Sequence, residues 1–174
     1  MKYPFNVRSF FTDQEVKDIG SGLQLWRGYF QSVRPASRRM LINVDISTAT
    51  MYKAGPLLSL CLEYIGKRDP NALATRRGFP DRERLRLQRF ISGIRVITTH
   101  PGPGVTVQPT PRVVKKLSTA GASALNFALR EGGTMSVAEY FHRTQNRVLQ
   151  FPDVICVEVH IYLLPNPAVF SFAC

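Results

Sequence analysis

The sequence predicts an α+β chain: a small β-barrel carrying an inserted helix, preceded by an α/β linker segment. Three observations predict it. Beyond Gly93 the chain turns into short β-type runs separated by Gly- and Pro-containing loops, the pattern of a small barrel. Ser136-Val-Ala-Glu139 reads as a capping box, the Ser hydroxyl accepting the N3 backbone N–H and the Glu side chain reaching back to the Ser N–H. Two earlier segments, 56–65 and 82–91, place apolar residues at helical spacing.

Taken in order, KYPFNVRSFF near the N-terminus is a half-apolar run that suits a strand, and Gln14 to Ile19 suits one helical turn. From Leu23 the run LQLWRGYFQSVRP is aromatic and β-branched, hence a strand. Trp26, Tyr29 and Phe30 fit core packing better than a base-stacking platform. Met40 to Ile46 alternates Leu41, Asn43 and Asp45 with Ile42, Val44 and Ile46, the period-two signature of a half-buried strand. Pro56 to Ile65 predicts a helix with Leu57, Leu58, Cys61, Leu62 and Ile65 on one face and Gly66 as its C-cap, closing the linker layer. Residues 67–79 read as a linker punctuated by Pro70 and Gly78.

A helix over 82–91 has Leu87, Phe90 and Ile91 as its apolar face, with Arg82, Arg84, Arg86 and Arg89 on the other sides as the densest basic surface. Strands follow over 94–99, 111–116, 124–129 and from Val154 to about Leu164. The helix behind Ser136 carries Val137, Tyr140, Phe141 and Thr144 on one side, and Phe151-Pro152-Asp153 turns the chain into the last strand.

Composition narrows the function. The 174 residues carry a net charge of +11, which favours a polyanionic partner, nucleic acid before an anionic membrane surface. With 44% hydrophobic and 20% charged residues the chain can bury a core. Cys61, Cys156 and Cys174 are widely spaced and the three histidines (His100, His142, His160) complete no zinc-ligand pattern, so no metal or cofactor is expected. The N-terminus lacks the apolar core of a signal peptide, and no apolar run reaches membrane-spanning length. A soluble, cytoplasmic protein without a membrane partner is the expectation.

Two stretches carry a family resemblance. VAEYF followed by LQFPDVICVEV resembles the PAZ domain of Argonaute proteins, and GLQLWRGYFQSVRPA followed by MLINVDIS resembles the L1 linker that precedes PAZ, closest to fungal members. The resemblance spans residues 22–159. It implies that 1–20 is a remnant of the Argonaute N domain, 21–66 the L1 linker, and 67–174 a PAZ domain, an OB-like barrel with an inserted hairpin-and-helix lobe. The end of that domain, HIYLLPNPAVFSFAC, departs from the family pattern and reads as a truncated or alternatively spliced product.

Carried onto this sequence, the family pocket implies a set of RNA-binding residues. His100 and the Tyr140 hydroxyl match phosphate donors, and Phe127 an aromatic that packs on the terminal nucleotide. Gln145 stands where relatives place an aromatic or His donor. Arg112 and Lys115 retain the charge of the family hairpin, while Arg147 and Tyr162 complete the set. These types suit the chemistry: cations and hydroxyls for phosphates, aromatic faces for splayed bases.

The implied function is non-catalytic anchoring of the 3′ end of a single-stranded small guide RNA, with other Argonaute domains or silencing proteins as further partners. No carboxylate pair, nucleophile–base pair or phosphate-binding glycine loop is present to support an enzyme. The alternatives are a structural fragment with only non-specific basic RNA binding, a Dicer-type PAZ module, and, last, an enzyme using His100 or His142 as a general base.

Overall fold

The computed structural model describes residues 2–4, 8–97, 111–129 and 132–160. The chain divides into two compact units, residues 1–55 and 56–174, and each is described by itself. The fold is mixed α+β, and the described strands form open antiparallel sheets rather than a closed barrel.

The first unit is a four-stranded meander in the order β1 (Lys2–Pro4), β2 (Ser9–Gly20), β3 (Leu23–Ala36) and β4 (Arg39–Tyr52). β2 pairs with β3 on both sides of an irregularity between Thr12 and Lys17, where Glu15 has a φ of 58°. The helical turn expected over 14–19 is therefore a bulged strand: cross-strand pairing of Lys17 and Asp18 with Leu25 and Gln24 overrides the local preference. For the same reason residues 9–20 belong to one sheet with residues 23–52, and this unit ends at Gly55 rather than at Gly66.

Hairpin turns close at Ser21 and at Ser37-Arg38, with Ser21 and Arg38 left-handed. Phe11 is buried against Gly28, where a Cβ would strike the Phe10 carbonyl and the Phe11 ring. On the opposite face Phe10 stacks on Tyr29 at 5.4 Å. Asp18 accepts the Gly20 N–H at 2.9 Å and pairs with Lys53 at 2.9 Å, which holds its carboxyl below the usual range. The 40–46 segment is a strand, but it is not half-buried: Ile42, Val44 and Ile46 are all exposed.

The second unit is built around β6 (Arg112–Gly121) and β9 (Ile155–His160), with β5 (Arg95–Val96) on the outer side of β6. β9 is buried on both faces. Ile155 and Val157 enter one core with Val114, Leu117, Leu73, Cys61 and Leu62, together with Leu87 and Ile91. Cys156 points the other way, into a second core with Ala122 and Val137. Burial on both sides explains why Val154 to Val157 is continuously apolar rather than alternating.

The first core is covered by α1 (Leu57–Ile65) and α2 (Asp81–Ile91). α1 ends in a left-handed Gly66, with the Lys67 N–H returning to the Leu62 carbonyl at 2.9 Å. Through Cys61 and Leu62 it belongs to the core of the second unit. Residues 67–79 are not a bare linker either. Two 3-10 turns, Pro70–Leu73 and Thr75–Arg77, bury Leu73 and Ala74, and Ala74 bridges to Val154.

α2 corrects the expected basic surface. Arg82, Arg86 and Arg89 are exposed, but Arg84 is buried beside Leu87 and Ile91, its guanidinium paired with Asp81 at 2.7 Å. β6 is irregular after Val114 and again after Leu117. Ser118 spans the second irregularity: its hydroxyl accepts the Cys156 N–H at 2.7 Å and donates to the Ala120 carbonyl at 2.6 Å. A side chain thereby satisfies backbone groups that the bulge removes from the ladder.

Candidate nucleic-acid interface

Beyond β6 the chain leaves the sheet and forms a small lobe. β7 (Asn126–Ala128) and β8 (Thr134–Ser136) make a hairpin that places Phe127 opposite Met135. Ser136 then caps α3 (Val137–Gln145), its hydroxyl accepting the Glu139 N–H at 3.1 Å. The Glu139 carboxylate pairs with Arg143 at 2.6 Å, so the second half of the expected capping box is replaced by an ion pair one turn along. The N-terminus of α3 is also tied to the turn that follows β6: Val137 N–H donates to the Leu125 carbonyl at 2.9 Å and Ala138 N–H to the Ala122 carbonyl at 3.0 Å. Asn146, left-handed at φ 48°, terminates the helix, and the Arg147 N–H returns to Phe141 at 3.2 Å.

This anchoring brings three aromatic rings together. Phe127 meets Tyr140 edge to face at 5.5 Å and 78°, and Tyr140 meets Phe141 at 6.2 Å and 85°. Phe127 and Phe141 pack their inner sides on Ala122, Val137 and Cys156, while all three rings remain partly accessible. An amphipathic phenol held between two rings offers an apolar face and a hydroxyl at one place.

The other expected residues are distributed differently. Arg147 is exposed just beyond the end of α3. Arg112 and Lys115 lie near the start of β6, whereas the aromatic lobe packs beyond its far end at Ala122, on the order of 25 Å along the strand. Lys115 is exposed, and Arg112 is half-buried with its Nη1 enclosed and without a partner among the described residues. Gln145 ends α3, its side chain lying outside the described ones, and His100 and Tyr162 lie outside the described residues. Sequence reasoning missed Met135. A three-residue strand is too short to show a period, and only the hairpin register reveals that Met135 faces Phe127.

Comparison with known proteins agrees with this architecture. A family model described as Argonaute linker 1 domain matches residues 7–53, and the PAZ domain model matches residues 62–166. The chain belongs to the Argonaute family. It is 30% identical over 159 residues to the rice protein argonaute 12, covering 90% of this chain and 14% of that protein. It is also 28% identical over 166 residues to rice argonaute 1D, covering 94% and 15%. The chain thus spans about one seventh of the length of the curated relatives it matches.

Among solved structures, a Drosophila Argonaute PAZ domain in complex with 3′-end 2′-O-methylated RNA is similar at a TM-score of 0.50 and 25% identity, over 68% of this chain and 92% of that one. Kluyveromyces polysporus Argonaute with a guide RNA is similar in fold at a TM-score of 0.53 and 14% identity, over 92% and 20%. Within this Argonaute-family chain the aromatic lobe lies wholly inside the PAZ match, and strands β2, β3 and β4 of the meander fall inside the linker match.

Proposed function

We propose that the chain binds the 3′ end of a single-stranded small RNA, using the lobe formed by β7, β8 and α3. The observation that carries this reading is the Phe127–Tyr140 pair, two half-accessible rings at 5.5 Å on a lobe anchored to the sheet. The Drosophila PAZ neighbour, described with RNA, supports the assignment. In this reading the Phe127 face packs on the terminal base or sugar, the Tyr140 hydroxyl donates to a phosphate, and Arg147 supplies a nearby cation. The role is binding rather than catalysis, in keeping with matches to a linker and a PAZ domain. The remaining parts of an Argonaute are natural partners. A cytoplasmic site of action suits the unbridged thiols of Cys61 and Cys156.

The test is fluorescence anisotropy with a short single-stranded RNA carrying either a free 3′ hydroxyl or a 3′ phosphate. Tighter binding of the free end, with that preference lost in both Phe127→Ala and Tyr140→Phe, is the expected result. Equal binding of both ends that disappears with salt and ignores both substitutions would leave only non-specific attraction to the basic surface.

A further inference from the structure

The first unit presents an unusual surface. Directly paired residues of β3 and β4 lie on one face of the sheet, and neighbours in sequence alternate. Because Val33 pairs with Ile42, Gln31 with Val44, Tyr29 with Ile46 and Pro35 with Met40, one face collects five aliphatic side chains. Val33, Met40, Ile42, Val44 and Ile46 are 60%, 64%, 72%, 58% and 87% exposed. β4 is also the last strand of its sheet, so its outer row of backbone donors and acceptors meets no strand among the described residues. Edge strands usually carry charges that discourage pairing. Over its 14 residues β4 carries only Arg39 and Asp45.

Those two charges single out a partner. If a second copy of β4 pairs antiparallel about a two-fold axis perpendicular to the sheet, the apolar faces of both copies remain on the same side. Centring on Ile42 then puts Arg39 opposite the partner's Asp45, and symmetry makes this pair twice. Centring on Asn43 or Val44 leaves both charges facing neutral residues, and centring on Asp45 opposes two carboxylates. Within β4, no other same-face register opposes unlike charges. The Asn43 amide already holds the Asp45 carboxylate at 2.8 Å on the face shared with Arg39.

We propose that β4 is a homotypic interface: two copies of the chain pair antiparallel in the register centred on Ile42. Met40 then lies opposite the partner's Val44 on the apolar face, and Arg39 opposite the partner's Asp45 on the other. The pairing extends the four-stranded sheet across the two-fold and makes the apolar stripe continuous. Its residues all belong to the first unit, whereas the lobe belongs to the second.

Sedimentation velocity on the full chain over a range of concentrations tests this. The wild type is expected to form a dimer. Arg39→Asp and Asp45→Arg each oppose like charges twice, and each weakens self-association by about tenfold or more. An equimolar mixture of the two variants restores unlike pairs at both positions and recovers the wild-type dimer, which a misfolded variant would not do. Circular dichroism confirms that each variant is folded. A wild type that stays monomeric, variants that associate as the wild type does, or a mixture that fails to recover would each overturn the proposal.

Discussion

Arg84 and Leu117 are joined across the packing of α2 on the sheet: the guanidinium Nη1 donates to the Leu117 carbonyl at 3.2 Å. One turn along α2, the Gln88 Oε1 accepts the Leu117 N–H at 3.0 Å. Leu117 precedes the irregular stretch of β6, so helix side chains brace the strand where its ladder loses register.

Removing either brace strands a buried backbone group. Arg84→Met and Gln88→Leu are each expected to destabilise the fold by about 1–3 kcal/mol. Arg86→Met, on the exposed side of the same helix, should change stability by less than about 0.5 kcal/mol. Urea midpoints with the slope held constant measure the difference. Equal effects at positions 84 and 86 would show that the Leu117 contacts contribute little.

Gly121 is required by steric space. A Cβ there would collide with the backbone of Asp153, which is held in place as Ser123 donates its hydroxyl to the Asp153 carboxylate at 2.5 Å and its N–H to Pro152 at 2.9 Å. The obstacle is main chain and cannot rotate away. Gly121→Ala should therefore lower the thermal midpoint, with a cost of about 1–3 kcal/mol, whereas Gly93→Ala, with open space but a φ of 86°, tests strain alone.

Ser136 orders the aromatic lobe through its cap. Ser136→Ala should cost about 1 kcal/mol, and Ser136→Asp should retain most of the stability. If the lobe is the RNA site, Ser136→Ala also weakens discrimination between free and blocked 3′ ends, as read by the anisotropy assay. Unchanged stability in the Ala variant would mean that the ties from Val137 and Ala138 to Leu125 and Ala122 hold α3 without the cap.

Burial in the first core pushes the Cys61 thiol up from 9.0 to about 12. The folded state disfavours the thiolate, so this contribution to stability is complete below pH 9 and is lost as the pH rises from about 9 to about 12. Cys61→Ala should flatten that part of the stability–pH curve. Iodoacetamide at pH 8.5, followed by peptide mass spectrometry, is expected to label Cys61 only after unfolding.

The aromatic lobe was legible because its signals are local. Ser136 is three residues before Glu139, and Tyr140 and Phe141 follow within one helical turn, so cap and rings appear in the order in which they act. Residues 40–46 were legible as a strand but not in their exposure. Period-two alternation reports which side chains share a face, not whether anything covers that face.

What the sequence by itself determined is the set of segments with strong local signals: the three helices, the strands from Leu23 and over 40–46, the strand from Val154, and the PAZ-like lobe. Local spacing and turn chemistry are encoded within a few residues, and hence are readable one segment at a time. Only the tertiary structure decided that residues 14–19 extend a strand, that α1 joins the second unit's core, and that Arg84 turns inward while Arg82, Arg86 and Arg89 stay outside. Each of those outcomes depends on a partner distant in sequence: Leu25 for Lys17, Val157 for the core that receives Cys61, and Leu117 for Arg84. The free energy of such pairings exceeds local propensity, and no window of neighbouring residues contains it.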